Sequence, residues 1–297
     1  MNFVGEVEMK SEQVVDLKNA LSRLDSLPAM PAIAHKLLLL PLDTETGEAE
    51  FLRLIEQDPQ ISAKIIGLSN SPLYGLSRHV VSLGDAVMLL GLNRVKSVAI
   101  GIATMSALSK VAEGKLKTKE LWMHSLSVAM AMTTIARAMP LRNRPADDLL
   151  FFAGLMHHIG YMAISYLDVD ASDKLHEQLQ QAPGRMILNI EKAVLGMTHA
   201  EIGAELAQHW HLPDDIVDAI RRHHDGGDYH DMELPVLVRL VWLAEQMLGE
   251  FGVLKAEGNV IAEQQWLILG IDPDDADEIS SSVYEVATQA GQMAAAF

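Results

Sequence analysis

The segment Leu149–Leu167, LLFFAGLMHHIGYMAISYL, carries two adjacent histidines inside an almost unbroken apolar run of helical character. Such a run has to be enclosed by other elements, and an enclosed imidazole needs a hydrogen-bond partner or a metal ion. His157 and His158 therefore predict that this segment forms the centre of a fold. Adjacent residues on a helix point about 100° apart, so one of the two is expected to face the centre squarely and the other to reach it from the edge.

The rest of the 297-residue chain supplies helices to surround it. Hydrophobic residues make up 49%, yet aromatics only 5%, so the apolar mass is Leu, Ala, Ile, Val and Met, which favours helix packing over a sandwich. No Asn-Gly or Asp-Gly pair joins two alternating apolar runs, so hairpins are not expected. Helices are expected over Ser11–Asp25, Pro31–Leu40, Glu48–Gln57, Pro59–Leu68, Leu83–Leu90, Leu92–Ser109, Leu121–Met139, Ala146–Leu167, Ile187–Leu195, Ala200–His209, Asp214–His224, Leu234–Gly249, Ile261–Leu269 and Asp274–Ala296. Several starts are marked: Asp58 before Pro59, and the capping-box patterns Ser82 to Asp85 and Thr198 to Glu201. The fold class is all-α.

The short, lysine-rich stretch Glu113–Lys119 separates an N-terminal lobe (21–112) from a second lobe (118–226). Residues 1–20 read as a helical lead-in and 227–297 as an acidic helical extension packing on the second lobe. From Asp225 onward there are fourteen acidic residues against two basic ones, out of a net charge of −17. That field repels phosphates, so nucleic acid is not an expected partner; the acidic surface itself reads as a solvated face. Absence of cysteine excludes a disulfide framework, a zinc finger and a thiol nucleophile, and agrees with a cytoplasmic location. The N-terminus lacks a secretory pattern, and polar residues interrupt every apolar run before about 18 residues, so no membrane span is expected. Asp272–Glu278 lacks the glycine and final glutamate of a calcium loop and reads as an acid-rich helix start.

The candidate site follows from the histidines. His124, the pair His157 and His158, His199 at a helix start, and the pair His223 and His224 belong to four separate expected helices, and Glu245 follows on a fifth. Helical bundles build metal sites from inward-facing side chains of this kind. Each also has an ordinary role open to it. His223 and His224 suit a helix C-terminus, His199 a first turn, and the pair a water-satisfied core.

Several motifs in order resemble one family: LPAMP (Leu27–Pro31), EQDPQISAKI (Glu56–Ile65), LSNSPLYG (Leu68–Gly75), SLGDAVMLLGL (Ser82–Leu92), GMTHAEIG (Gly196–Gly203) and LPDDIVDAIRRHH (Leu212–His224). The chain resembles the HDOD family, a branch of the HD superfamily of metal-dependent phosphohydrolases, over about Leu24–His224. The resemblance implies an HD-like helical bundle with an N-terminal helical lobe, and a bacterial signalling or regulatory role without a complete catalytic set. His124 matches the first histidine of the HD pattern and His157 the histidine of the pair. His158 stands in place of the aspartate, Tyr161 in place of a frequent lysine, and Glu245 near the late aspartate. His199, His223 and His224 match the further histidines of the related HD-GYP group.

A carboxylate can bridge two cations and a neutral imidazole cannot, so His158 disfavours two-metal hydrolysis. The remaining set suits a single late transition metal such as Zn, Ni or Fe rather than Mg or Mn. A metal-free relic, a metal-holding module and an altered hydrolase all stay open. The expected function is a non-catalytic regulatory module acting through a signalling protein partner or a nucleotide-like small ligand, the alternative a phosphodiesterase with a His-rich metal site. Arg221 and Arg222, together with Lys115, Lys117 and Lys119, are candidate anion contacts for such a ligand.

Overall fold

The computed structural model describes residues 27–70, 76, 78–109, 114–181, 187–249 and 261–294. The lead-in 1–20 and the helix expected over Ser11–Asp25 lie outside them, as do residues 71–75. The fold is all-α, with no strand among the described residues.

The N-terminal lobe holds α1 (Ala32–Leu39), α2 (Glu45–Glu56), α3 (Pro59–Ser69), α4 (Leu83–Leu90) and α5 (Leu92–Leu108). Its boundaries are set by local chemistry. Thr44 accepts from the Gly47 amide and starts α2 three residues before the expected point. Asp58 accepts from the Gln60 and Ile61 amides ahead of Pro59, and Ser82 accepts from the Asp85 amide. The Asn70 side chain clasps Val80 through both its backbone groups, at 2.7 Å each, closing the connection between α3 and α4.

The second lobe is built from α6 (Thr118–Ala138), α7 (Asp147–Met156), α8 (Ile159–Leu167), α9 (Val169–Gln181), α10 (Ile187–Leu195), α11 (His199–His209) and α12 (Asp214–Arg222), then the 3-10 turn η1 (His223–Gly227), α13 (Val236–Leu248), α14 (Glu263–Leu267) and α15 (Ala276–Ala294). Short 3-10 turns also precede α7 and α15. α6 and α7 lie at the centre, and α5 packs on α7 to join the lobes. Trp210 adds a tie, donating to the Pro28 carbonyl at 2.8 Å. α15 packs along α6 and α13. The Asp147–Leu167 segment is apolar enough to pass for a membrane span, but 83% of its 18-residue apolar window is buried inside the bundle.

Two departures from the expected elements matter. α9 was not expected; Asp168 caps it, and Ala171, Leu175 and Leu179 bury one narrow stripe of an otherwise polar helix. The other is the continuous helix expected over Ala146–Leu167, which is two helices. His158 leaves helical geometry at φ −100°, ψ 16°, and the Tyr161 amide donates to the His158 carbonyl three residues back.

Helix crossings around this break are unusually close. A methyl group on Gly154 would sit 2.4 Å from the Ala129 Cα, and one on Gly160 would sit 1.9 Å from the His199 carbonyl oxygen. These glycines let α7 approach α6, and α8 approach α11, at backbone contact distance.

Candidate metal centre

The break between α7 and α8 turns both histidines inward, which corrects the expectation that only one would face the centre. His157 is fully buried and His158 is 2% exposed, with ring centroids 3.8 Å apart. His124 reaches them from α6, His199 from the first turn of α11, His223 and His224 from η1, and Glu245 from α13. All six histidines and the glutamate thus form one cluster, with only His124 and His224 at its rim.

The hydrogen bonds fix which atoms point inward. His157 Nδ1 lies 2.7 Å from the Gly154 carbonyl, and His223 Nδ1 lies 2.7 Å from the Ile220 carbonyl. A carbonyl only accepts, so both Nδ1 atoms carry the proton. In the neutral ring, Nε2 then presents a lone pair. Both rings are held toward the neutral form: burial lowers the pKa of His157, and lowers those of His223 and His158 further, helped by neighbouring imidazoles.

His157 Nε2 lies 2.9 Å from Glu245 Oε1, and His124 Nε2 lies 2.7 Å from the same oxygen. Burial alone would push the Glu245 carboxyl up. The His124 imidazole beside it outweighs that and holds it far below the usual carboxylate range. Its other oxygen, Oε2, is buried with no hydrogen-bond partner. A lone pair and a carboxylate in contact, in a dry interior, make a site of negative potential.

On the far side of His158, His199 Nε2 lies 3.1 Å from His223 Nε2 and 3.4 Å from His224 Nε2. Here the orienting group is Glu191, which the histidine-led reading missed. It is fully buried and accepts from His199 Nδ1 at 2.7 Å, the His199 amide at 2.9 Å and the Tyr161 hydroxyl at 2.7 Å. Burial opposes ionisation of Glu191, and the contacts with His199 and Tyr161 prevail, so its pKa is lowered. Glu191 shares a stripe with Ile187, Ile190, Val194 and Leu195, and a carboxylate on an apolar stripe is the signal that would have found it.

Two overlapping donor groups result: His124, His157, His158 and Glu245, and then His158, His199 and His223. Within each, donors lie within 4.8 Å of one another. Donors bound to one zinc-like ion at about 2.0–2.1 Å are themselves roughly 3.0–3.4 Å apart, close to the contacts above. Nδ1 bonded outward with Nε2 inward is also the usual pattern of ligating histidines.

The proposed anion contacts stand differently. Arg221 contacts Glu205 at 3.1 Å, and Arg222 contacts Asp231 at 3.2 Å and Asp225 at 3.4 Å. Lys115 pairs with Glu177 on α9, and Lys117 donates to the Gly114 carbonyl at 2.8 Å.

The HDOD domain model matches residues 27–226, two thirds of the chain. Among solved structures, the chain is similar to an HDOD domain protein of unknown function from Geobacter sulfurreducens, at 26% identity and a TM-score of 0.73, covering 94% of this chain and 99% of that one. It is also similar to a candidate signal transduction protein from Marinobacter aquaeolei VT8, at 25% identity and a TM-score of 0.77, covering 97% of this chain and 62% of that one. An uncharacterized protein from Treponema pallidum (strain Nichols) is 25% identical over 223 residues. The match takes in 74% of this chain but 42% of that protein, so the chain spans under half the length of this curated relative.

Proposed function

The chain belongs to the HDOD family, and from that premise we propose that it is a non-catalytic signalling module whose buried cluster holds one late transition metal ion. The observation that carries the metal is the His157–Glu245 contact: a ring nitrogen whose proton is committed elsewhere faces an ionised carboxylate at 2.9 Å, beside a second, unbonded carboxylate oxygen. A cation resolves this contact. His124, His157, His158 and Glu245 would hold it, and three imidazoles with one carboxylate suit Zn, Ni or Fe.

A bound ion supplies positive charge and directional bonds that tie α6, α7, α8 and α13 together. The chain's own groups do the orienting. The Gly154 carbonyl fixes the His157 tautomer, and Glu191 fixes His199. Burial supports a regulatory role over turnover. His157, His158, His199, His223 and Glu245 are each 3% exposed or less, which leaves a phosphodiester little access to them. Tyr161, where active relatives of the resembled superfamily often carry lysine, donates to Glu191 and offers no cation to a phosphate. The Marinobacter relative described as a candidate signal transduction protein points the same way. A protein partner or a small ligand would read the state of the module.

Metal analysis of protein purified without an affinity tag tests the reading. About one ion per chain, with no turnover of bis-p-nitrophenyl phosphate or cyclic dinucleotides, is expected. Less than about 0.1 ion per chain without uptake on incubation would overturn the metal assignment. The second donor group, His158, His199 and His223, favours one rival, a two-ion phosphodiesterase. Two ions per chain with turnover abolished by His157→Ala would establish that rival instead.

A further inference from the structure

A second site lies away from the histidines, in the cleft between the lobes. It is a cavity of about 570 Å³, within the usual range for small-molecule pockets. Its apolar wall comes from both sides: Leu38 and Leu42 from the N-terminal lobe, Leu149 and Phe152 from α7. Polar groups sit among them. Lys96 reaches in from the second turn of α5, Asp148 from the first turn of α7, and Asp43 from the α1–α2 connection.

Lys96 is half-buried, and its ammonium donates to the Leu40 carbonyl at 2.8 Å, which leaves donors for a ligand. Burial lowers its pKa and the nearby Asp148 carboxylate offsets only part of that; both residues line the cavity. No ion pair within 4 Å joins Lys96 to Asp148 or Asp43 among the described residues; Asp147, next along, is the one paired with Arg94, at 3.6 Å. The hydroxyl of Ser97, also in the lining, is spent on the Asn93 and Asp148 carbonyls, so it shapes the wall and is not free for a ligand. The N-terminus of α5 lies on the Lys96 side and adds positive potential there.

We propose that this cleft binds a small apolar zwitterion, an amino acid or short peptide with free termini. Its carboxylate would sit on Lys96, its ammonium on Asp148 and Asp43, and its side chains on Leu38, Leu42, Leu149 and Phe152. The cavity is separate from the histidine cluster and its ligand does not depend on a bound metal. It does touch the helices that lead to the cluster: Phe152 lies five residues before His157, and Pro213 immediately precedes α12, which runs up to His223.

The dipeptide leucyl-phenylalanine, with its N-acetyl and C-amide derivatives, tests the assignment by calorimetry and thermal shift on the full chain. The free dipeptide is expected to raise the Tm by about 2–4 °C at ten times its Kd. Each cap removes one charge-assisted contact and is expected to weaken binding about tenfold or more. Lys96→Met should erase the discrimination against the amide, and Asp148→Asn should reduce that against the acetylated form. No Tm shift with 10 mM free dipeptide, or equal binding of all three compounds, would overturn the proposal. The three compounds are compared on the unaltered protein, so the result stands whatever either variant does to folding.

Discussion

Gly160→Ala probes the helix crossing that sets the cluster. The added methyl group would lie 1.9 Å from the His199 carbonyl oxygen, 2.7 Å from its carbon and 2.9 Å from the Gly203 nitrogen. Real Cβ atoms stay beyond about 3.0 Å, so α8 and α11 must separate by roughly 1 Å. A flexible side chain could swing away, but here the obstacle is backbone. It is also anchored, because the His199 amide donates to buried Glu191 and the helix start is closed by the Thr198–Glu201 capping box. Overpacking costs about 1–3 kcal/mol, and a backbone obstacle places this case near 3. At about 2 °C per kcal/mol for a chain of this size, the Tm measured by calorimetry in EDTA should fall by about 6 °C. Gly203→Ala, whose methyl group meets Gly160 N at 2.9 Å and Ile220 Cγ2 at 3.0 Å, should cost less. Gly67→Ala is the control: it lies inside α3 with nothing within 4 Å, so helix propensity should raise the Tm by about 1–2 °C. A Gly160→Ala protein melting within 2 °C of the parent would refute the packing argument.

Three further changes address the site. Glu245→Gln should reduce bound metal at least tenfold by elemental analysis, and an unchanged metal content would refute its role as a ligand. In EDTA the Tm should drop as pH falls below about 6.5, because His157, His158 and His223 have folded-state pKa values below their unfolded ones, so the unfolded state binds more protons there. Each such histidine contributes a slope of up to about 1.4 kcal/mol per pH unit, and a second loss below about pH 4.5 should follow from Glu191 and Glu245, whose pKa values are also lowered. A Tm that stays flat between pH 7.5 and 5.5 would contradict the buried-neutral assignment. His158→Asp places a bridging carboxylate between the two donor groups and should raise the metal content toward two ions per chain by elemental analysis.

Local chemistry made much of this fold readable. Leu83–Leu90 is found between its expected limits because Ser82 caps one end and Gly91, at φ 85°, terminates the other. The expected start of α11 differs by one residue because the capping box is a local signal. α9 escaped because Ala171, Leu175 and Leu179 are too few apolar residues to stand out among its charges, and its burial depends on α8 and α10. The histidines and Glu245 were found by residue type and order. What sequence could not supply was the break at His158, where tertiary packing overrides a strongly helical pattern and changes which way a ring points. Glu191 was passed over for a related reason, since its role exists only once α10 packs beside His199.

Charge favours the proposed single ion over two. The cluster interior contains two carboxylates, Glu245 and Glu191, both held ionised. One divalent cation leaves the assembly neutral, whereas two would leave a net charge of +2 where water is nearly excluded, a costly arrangement. An aspartate at position 158 would bring the total closer to balance for a second ion, and the histidine there does not. Glu245 lies beyond residue 226, where the HDOD match ends, on a helix of the segment read as an extension. One of the two carboxylates in the cluster therefore comes from α13, outside the matched domain.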